Sequence, residues 1–300
     1  MLRLITLLCS AALLNCSTAF AATVYKYKDE NGKWKFSDRP PEDKSQQTEE
    51  LTFAASEENP ANLKFDYQQQ DGSYRAVVIN PFYIPIEVKI EFDDGRPAFR
   101  AVLPSNGQIV FYEGSSAAPK FRYRYVWGDP NAKADGSNYG LPVSSLSQHR
   151  ISQSFKGRFS HSRQPSLYAV DIALPIGTDI AAARDGVVAF VRDDYAFGGA
   201  NQYFLDKANV IHVVHEDGTY ATYAHLLLGS AVVQAGDKVK RGQVLGQSGT
   251  SGYSTGPHLH FVIRQNKGFK TESIPFTFDG PSGVFTPKAQ QKVCPCPPKT

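Results

Sequence analysis

Residues 249–261 read Gly249-Thr250-Ser251-Gly252-Tyr253-Ser254-Thr255-Gly256-Pro257-His258-Leu259-His260-Phe261. The small residues and Pro257 mark a tight loop. The run from His258 to Arg264 then reads as a strand. Side chains alternate along a strand, so His258 and His260 share one face with Val262, while Leu259, Phe261 and Ile263 point to a core. Two imidazoles side by side on a rigid strand are either two metal ligands or one ligand and one acid–base group. The plain alternative is a pair of surface histidines on an edge strand. The Gly-rich loop feeding the pair, and the other histidines of the chain, weigh against it.

Of seven histidines, six fall between His161 and His260. His225 ends the run Tyr220-Ala221-Thr222-Tyr223-Ala224-His225 and, by alternation, shares a face with Tyr223 and Ala221. His161 sits in a polar loop ahead of Tyr168-Ala169-Val170-Asp171-Ile172. Asp171 lies among apolar residues, where a bare carboxylate is costly unless a metal or a hydrogen-bond donor meets it. His212 and His215 are three apart on a strand and face opposite ways. His215 reads as structural, His212 as structural or exposed, and His149 as part of a linker. No His-Glu-x-x-His helix is present.

Working outward, Gly186 to Val191, Asn209 to Val214 and Tyr220 to Ala224 are strand candidates. Glu216-Asp217-Gly218 joins the last two as a hairpin. Gly236 to Gly246 reads as two short strands around a turn. No long segment carries a 3.6-residue period. Upstream, five short runs (73–79, 84–92, 98–103, 108–112 and 121–126) alternate with polar turns and suggest a small β-sandwich over 62–127. They hold no catalytic constellation. Val24 to Lys28 and Lys33 to Ser37, around Asn31-Gly32, read as a hairpin with Tyr25, Tyr27, Trp34 and Phe36 on one aromatic face. The expected class is therefore all-β. The expected divisions are a hairpin module at 22–41, a linker at 42–61, the sandwich at 62–127, a linker at 128–148, the histidine-bearing domain at 149–280 and a disordered tail at 281–300.

A net charge of +3, with no dense Lys/Arg run, argues against a nucleic-acid partner. Met1-Leu2-Arg3 and the apolar run to Leu14 read as a secretory signal (1–21), with Ala19-Phe20-Ala21 as the cleavage site. The run is too short for a membrane span. This places the mature chain in the periplasm or outside the cell. Cys16 follows Leu13-Leu14-Asn15 as a lipid-modified cysteine would, although Asn15 is a poor residue there. After cleavage only Cys294 and Cys296 remain, so the core, not disulfides, must hold the fold.

Tyr168-Ala169-Val170-Asp171, Gly177-Thr178, Ala183-Arg184-Asp185-Gly186-Val187-Val188, Asp217-Gly218-Thr219, Tyr223-Ala224-His225-Leu226 and Gly256-Pro257-His258-Leu259-His260-Phe261 occur in the order found in the lysostaphin/LytM-type zinc metallopeptidases, which the chain resembles over roughly 151–264. The N-terminal hairpin resembles a small module of unknown function common in exported proteobacterial proteins. The first resemblance implies a two-sheet β domain of the duplicated hybrid motif type, a Zn2+ cofactor and peptidoglycan peptides as substrate. Asp171 and His260 resemble zinc ligands; His225 and His258 resemble the histidines that handle the water proton and the oxyanion. The family's first ligand histidine stands four residues before the aspartate, where this chain has Leu167. His161, ten residues before Asp171, is expected to return through a longer loop as the third ligand. Without it, an inactive relative that binds peptidoglycan or regulates another hydrolase is the alternative.

Overall fold

The computed structural model describes residues 22–28, 34–37, 41, 43, 45–53 and 62–295. The signal-peptide reading, the Asp29–Lys33 turn and Cys296 lie outside them. The described residues are almost entirely strand. Their one helical element is a 3-10 turn, Gln202–Phe204, and no helix is long and apolar enough to cross a membrane.

A nine-stranded antiparallel sheet dominates the C-terminal half. Its order is Lys238–Val239, Gly186–Arg192, Val210–Val214, Tyr220–Ala224, His258–Asn266, Val170–Ala173, His149–Gln153 and Lys292–Val293, with Thr271–Ser273 pairing on His258–Asn266. One face carries Ile211, Val213, Ala221, Tyr223, Leu259, Phe261 and Ile263 into a core completed by Ile180 and Leu245 of a two-stranded sheet and by Phe278 of a three-stranded one. Phe261 and Tyr223 are fully buried and tilted against each other at 5.2 Å. Truncating either to alanine would cost about 3–5 kcal/mol. The predicted hairpin forms between Val210–Val214 and Tyr220–Ala224, with Gly218 at φ +79° supplying the turn. Lys238–Val239 and Val244–Gln247 do not pair with each other. The first joins the large sheet and the second the small one, so this turn carries the chain across the core.

Several expected boundaries are corrected. The presumed linker 128–148 contributes the strand Tyr139–Gly140 and buries Tyr139, Leu141 and Val143 in the main core. His149 is a buried strand residue, paired with Val293. The tail is ordered as far as it is described: Gly283–Phe285 pairs with Phe278–Gly280, and Lys292–Val293 caps the large sheet. Polar composition misled there, because short pairings satisfy the backbone and few apolar residues, Phe285 and Val293 among them, reach the core. The 42–61 linker holds Glu49–Phe53, a strand on Ala22–Lys28. In the hairpin, Tyr25 stands opposite Ser37 and Tyr27 opposite Lys35.

Residues 62–127 form two three-stranded sheets, including Lys64–Gln70, whose exposed polar sequence gave no strand signal. Their shared core of Phe82, Ile84, Ile86, Val88, Ile90 and Leu103 also takes in Ala189 and Tyr220 from the large sheet. Trp127 packs edge-on against Phe190 and His212, and Glu87 accepts from Asn266 Nδ2 at 2.9 Å. The unit therefore leans on the histidine-bearing sheet.

His215, packed edge-on against Tyr139 of the main core, tests that core through pH. Its exposure is 4%, its Nδ1–H donates to the Asp185 carbonyl at 2.9 Å, and Nε2 has no partner. Burial pushes its pKa from 6.5 down to about 4. The unfolded chain therefore takes up a proton first, and stability declines as pH falls from about 6.5 to about 4. At pH 5 the loss from this residue should be about 2 kcal/mol. Urea unfolding at pH 7 and pH 5 measures it, and His215→Phe should flatten that part of the pH slope.

Candidate metal and catalytic site

The register of three strands brings the groups together. His260 stands opposite Asp171 on one neighbour and opposite Ala224 on the other; His258 stands opposite Ala173. Residues paired this way share a face with Cβ atoms about 5 Å apart. Val170 and Ile172 face the core, so Asp171 faces the other way with His260. His260 Nδ1 lies 2.9 Å from Asp171 Oδ1.

The loop between the strands His149–Gln153 and Val170–Ala173 brings in His161. Lys156 N–H donates to Leu167 O at 2.7 Å, closing the loop's base. His161 is fully buried, with Nε2 3.2 Å from Asp171 Oδ1 and 3.3 Å from His260 Nδ1. Leu167, the position where the resemblance places a histidine, precedes the strand and takes no part.

His161 Nδ1–H donates to the Ser154 carbonyl at 3.1 Å, which leaves Nε2 of the neutral ring as a bare lone pair. That lone pair, the His260 nitrogen and the Asp171 oxygen form a triangle with edges of 2.9, 3.2 and 3.3 Å. A tetrahedral zinc with bonds of about 2.0–2.1 Å separates its ligand atoms by roughly 3.3 Å. The triangle thus fits zinc, and a cation removes the repulsion between converging lone pairs. Among the described residues this is the one group of His, Cys, Asp and Glu that could hold a metal ion. Burial pulls the Asp171 carboxyl upward, but the adjoining imidazoles of His161 and His260 prevail and hold it well below the usual carboxylate range. Burial lowers the His260 pKa, against the pull of Asp171. Both shifts favour the forms that bind metal.

His225 and His258 flank the triangle. Their ring centroids are 4.5 Å apart, and His225 is 5.9 Å from His260. Alternation predicted His225 on the face of Tyr223 and Ala221, which proves to be the core. His225 escapes it by adopting φ +64°, which swings its ring to the His258 side. A left-handed histidine is strained by about 1 kcal/mol or more, and such strain gathers at functional sites. Its Nδ1–H donates to Ser251 O at 2.6 Å, and that of His258 donates to Gly256 O at 2.8 Å. Each ring therefore keeps Nε2 as a lone pair. Burial, reinforced by His258 and His260, pushes the His225 pKa down to about 3, so the ring is neutral at physiological pH.

Sequence reading missed Gln153. Its Nε2–H donates to Asp171 Oδ2 at 3.0 Å, and its Oε1 accepts from Phe159 N–H at 3.2 Å, tying the His161 loop to the carboxylate. Nothing local distinguishes this glutamine; it stands opposite Asp171 only after a register shift past Ile151. His212 is enclosed by Trp127, Phe190 and Tyr220, and belongs to neither cluster.

Residues 166–271 match the family described as Peptidase family M23, and residues 8–62 match a domain of unknown function, DUF4124. The DD-carboxypeptidase/endopeptidase Mpg of Neisseria meningitidis serogroup B is 33% identical over 144 residues, 46% of this chain and 30% of that protein. The peptidoglycan DD-endopeptidase ShyA of Vibrio cholerae is 36% identical over 120 residues, 39% of this chain and 25% of that protein. The chain thus spans less than a third of the length of these curated relatives. The catalytic domain of lysostaphin from Staphylococcus simulans matches at 26% identity, with a TM-score of 0.29, over 43% of this chain and 88% of that one. His161 lies outside the matched family span.

The geometry predicts a graded series. His161→Ala, Asp171→Ala and His260→Ala should each abolish stoichiometric zinc binding, measured by metal analysis after dialysis. Gln153→Ala should weaken zinc by only about 10- to 100-fold, as outer partners do. Full zinc in His161→Ala would remove it from the ligand set.

Proposed function

This chain carries a domain of peptidase family M23, and we propose that it is an exported zinc metalloendopeptidase that hydrolyses peptide bonds in peptidoglycan crosslinks or stem peptides. The observation that carries the reading is the triangle of His161, Asp171 and His260 with two tautomer-locked histidines beside it. The name of the ShyA relative, a peptidoglycan DD-endopeptidase, supports peptidoglycan as substrate, and that of Mpg, a DD-carboxypeptidase/endopeptidase, supports peptide-bond hydrolysis. The Met1–Ala21 sequence supports export, with cleavage after Ala21. We assign the peptidase unit to 149–280, joined by 128–148 and 281–295, which share its core or sheets.

Zinc held by two imidazoles and a carboxylate supplies Lewis acidity towards a carbonyl oxygen and lowers the pKa of a water to about 7. The chain's own residues do the rest. Asp171 holds His260 and His161 in place through its two short contacts, while Gln153 fixes the carboxylate's free oxygen. His225, neutral and with Nε2 unprotonated, accepts the proton of the attacking water. The charge it takes up lies beside a developing anion, which offsets the burial that otherwise disfavours it. His258 presents its Nε2 to the same groove. The proton passed on from His225, whose ring lies 4.5 Å away, gives His258 an Nε2–H that donates to the oxyanion and then goes to the departing amine. The backbone carbonyls of Ser251 and Gly256 prevent either ring from turning its other nitrogen to the substrate.

His225→Ala and His258→Ala should keep full zinc while muropeptide release from purified sacculi falls by on the order of a hundredfold or more. Loss of zinc in either variant would move that residue into the ligand set. No release by the zinc-loaded wild-type chain would overturn the peptidase reading.

A further inference from the structure

The metal and catalytic groups occupy one part of a groove of about 930 Å³, whose walls carry the guanidinium groups of Arg150, Arg192 and Arg264. The one carboxylate in it, Asp171, is already engaged by His161 and His260. Arg264 lies four residues beyond His260 on the same strand face, about 13 Å along it. Its Nε–H donates to Pro165 O at 3.2 Å and Nη1–H to Thr222 Oγ1 at 3.4 Å. Among the described residues no carboxylate forms an ion pair with it, and Nη2 makes no hydrogen bond. Thr222 Oγ1 also lies 2.9 Å from His212 Nδ1, so the hydroxyl holds the guanidinium beside a neutral ring. Phe82 and Trp127, from the 62–127 sheets, wall the groove there. Burial lowers the Arg264 pKa, and among the described residues no carboxylate offsets that cost.

We propose that Arg264 anchors a carboxylate of the peptide substrate, making the Thr222–Trp127 part of the groove a subsite for an acidic peptide. This rests on the peptidase reading above. A guanidinium fixed by two hydrogen bonds, with donors to spare, matches a carboxylate in paired fashion, whereas an amide at the same place leaves it unmatched. The wall of Phe82 and Trp127 limits how far the peptide continues past that point. The carboxylate comes from the peptide's C-terminus or from one of its side chains.

The test uses the zinc-loaded full chain and a crosslinked muropeptide dimer in three forms: free acid, C-terminal amide and side-chain amide. The wild type should lose about ten- to a hundredfold in kcat/KM on one of the two amides, which identifies the source. Arg264→Gln should cleave all three at the rate of the poor amide, and Arg264→Lys should keep part of the preference. Equal rates on all three forms by the wild type, or an undiminished preference in Arg264→Gln, overturns the proposal. The wild-type comparison stands even where a variant does not fold. If the wild type cuts none of the three, the peptidase reading fails separately. Fluorescence anisotropy with the same three probes then decides this proposal: an acid-over-amide preference lost in Arg264→Gln supports it, and equal binding of acid and amides rejects it.

Discussion

A carboxylate placed in a protein interior needs compensation, and the burial of Asp171 is the constraint on which the site depends. Two imidazoles meet one of its oxygens and Gln153 the other. None of these partners is its neighbour in sequence. They come from an adjacent strand, a loop and a bulged edge of the sheet. The side-chain period is two, so a one-residue slip between Val170–Ala173 and His258–Asn266 would turn one member of the Asp171–His260 pair into the core. Register, core and candidate metal site are therefore one requirement.

The sheet satisfies it by dividing labour between its faces. Phe261, Tyr223 and Leu259 fix the strands from below, and the histidines ride above on the same backbone. Groups that must approach from outside the strand pattern arrive by irregular segments. His161 is carried by a loop tied to Gln153, and His225 by a left-handed residue at a strand end. Strain and loop ordering gather where chemistry is placed, while the paired interior of the sheet remains regular.

The 62–127 sheets add a further level. Their aromatic core extends onto Tyr220 and Ala189, and Trp127 reaches the groove beside His212. This unit thereby shapes part of the groove beside the candidate site. The cationic lining of that space, with Asp171 already engaged, gives the groove an electrostatic preference separate from the proposed metal chemistry.

By itself the sequence determined what periodicity and turn chemistry encode. The strand from His258 to Arg264, the face shared by His258 and His260, the Glu216–Gly218 hairpin and five strands of the 62–127 region were all legible. Local alternation and Gly, Asn and Asp placement specify them without reference to distant residues. The site was legible as a set of residue types, including the buried Asp171. Only the tertiary structure decided the remainder. It placed His161, ten residues upstream, beside Asp171 and His260, and it turned His225 away from the face that alternation gave it. It drew 128–148 and 281–295 into the sheets despite their polar composition, and it set Gln153, Arg264 and Trp127 around one groove. Each of these depends on pairing between segments far apart in the chain, or on a single backbone angle. Composition carries neither, because both are fixed only when the buried carboxylate and the apolar faces find their partners together.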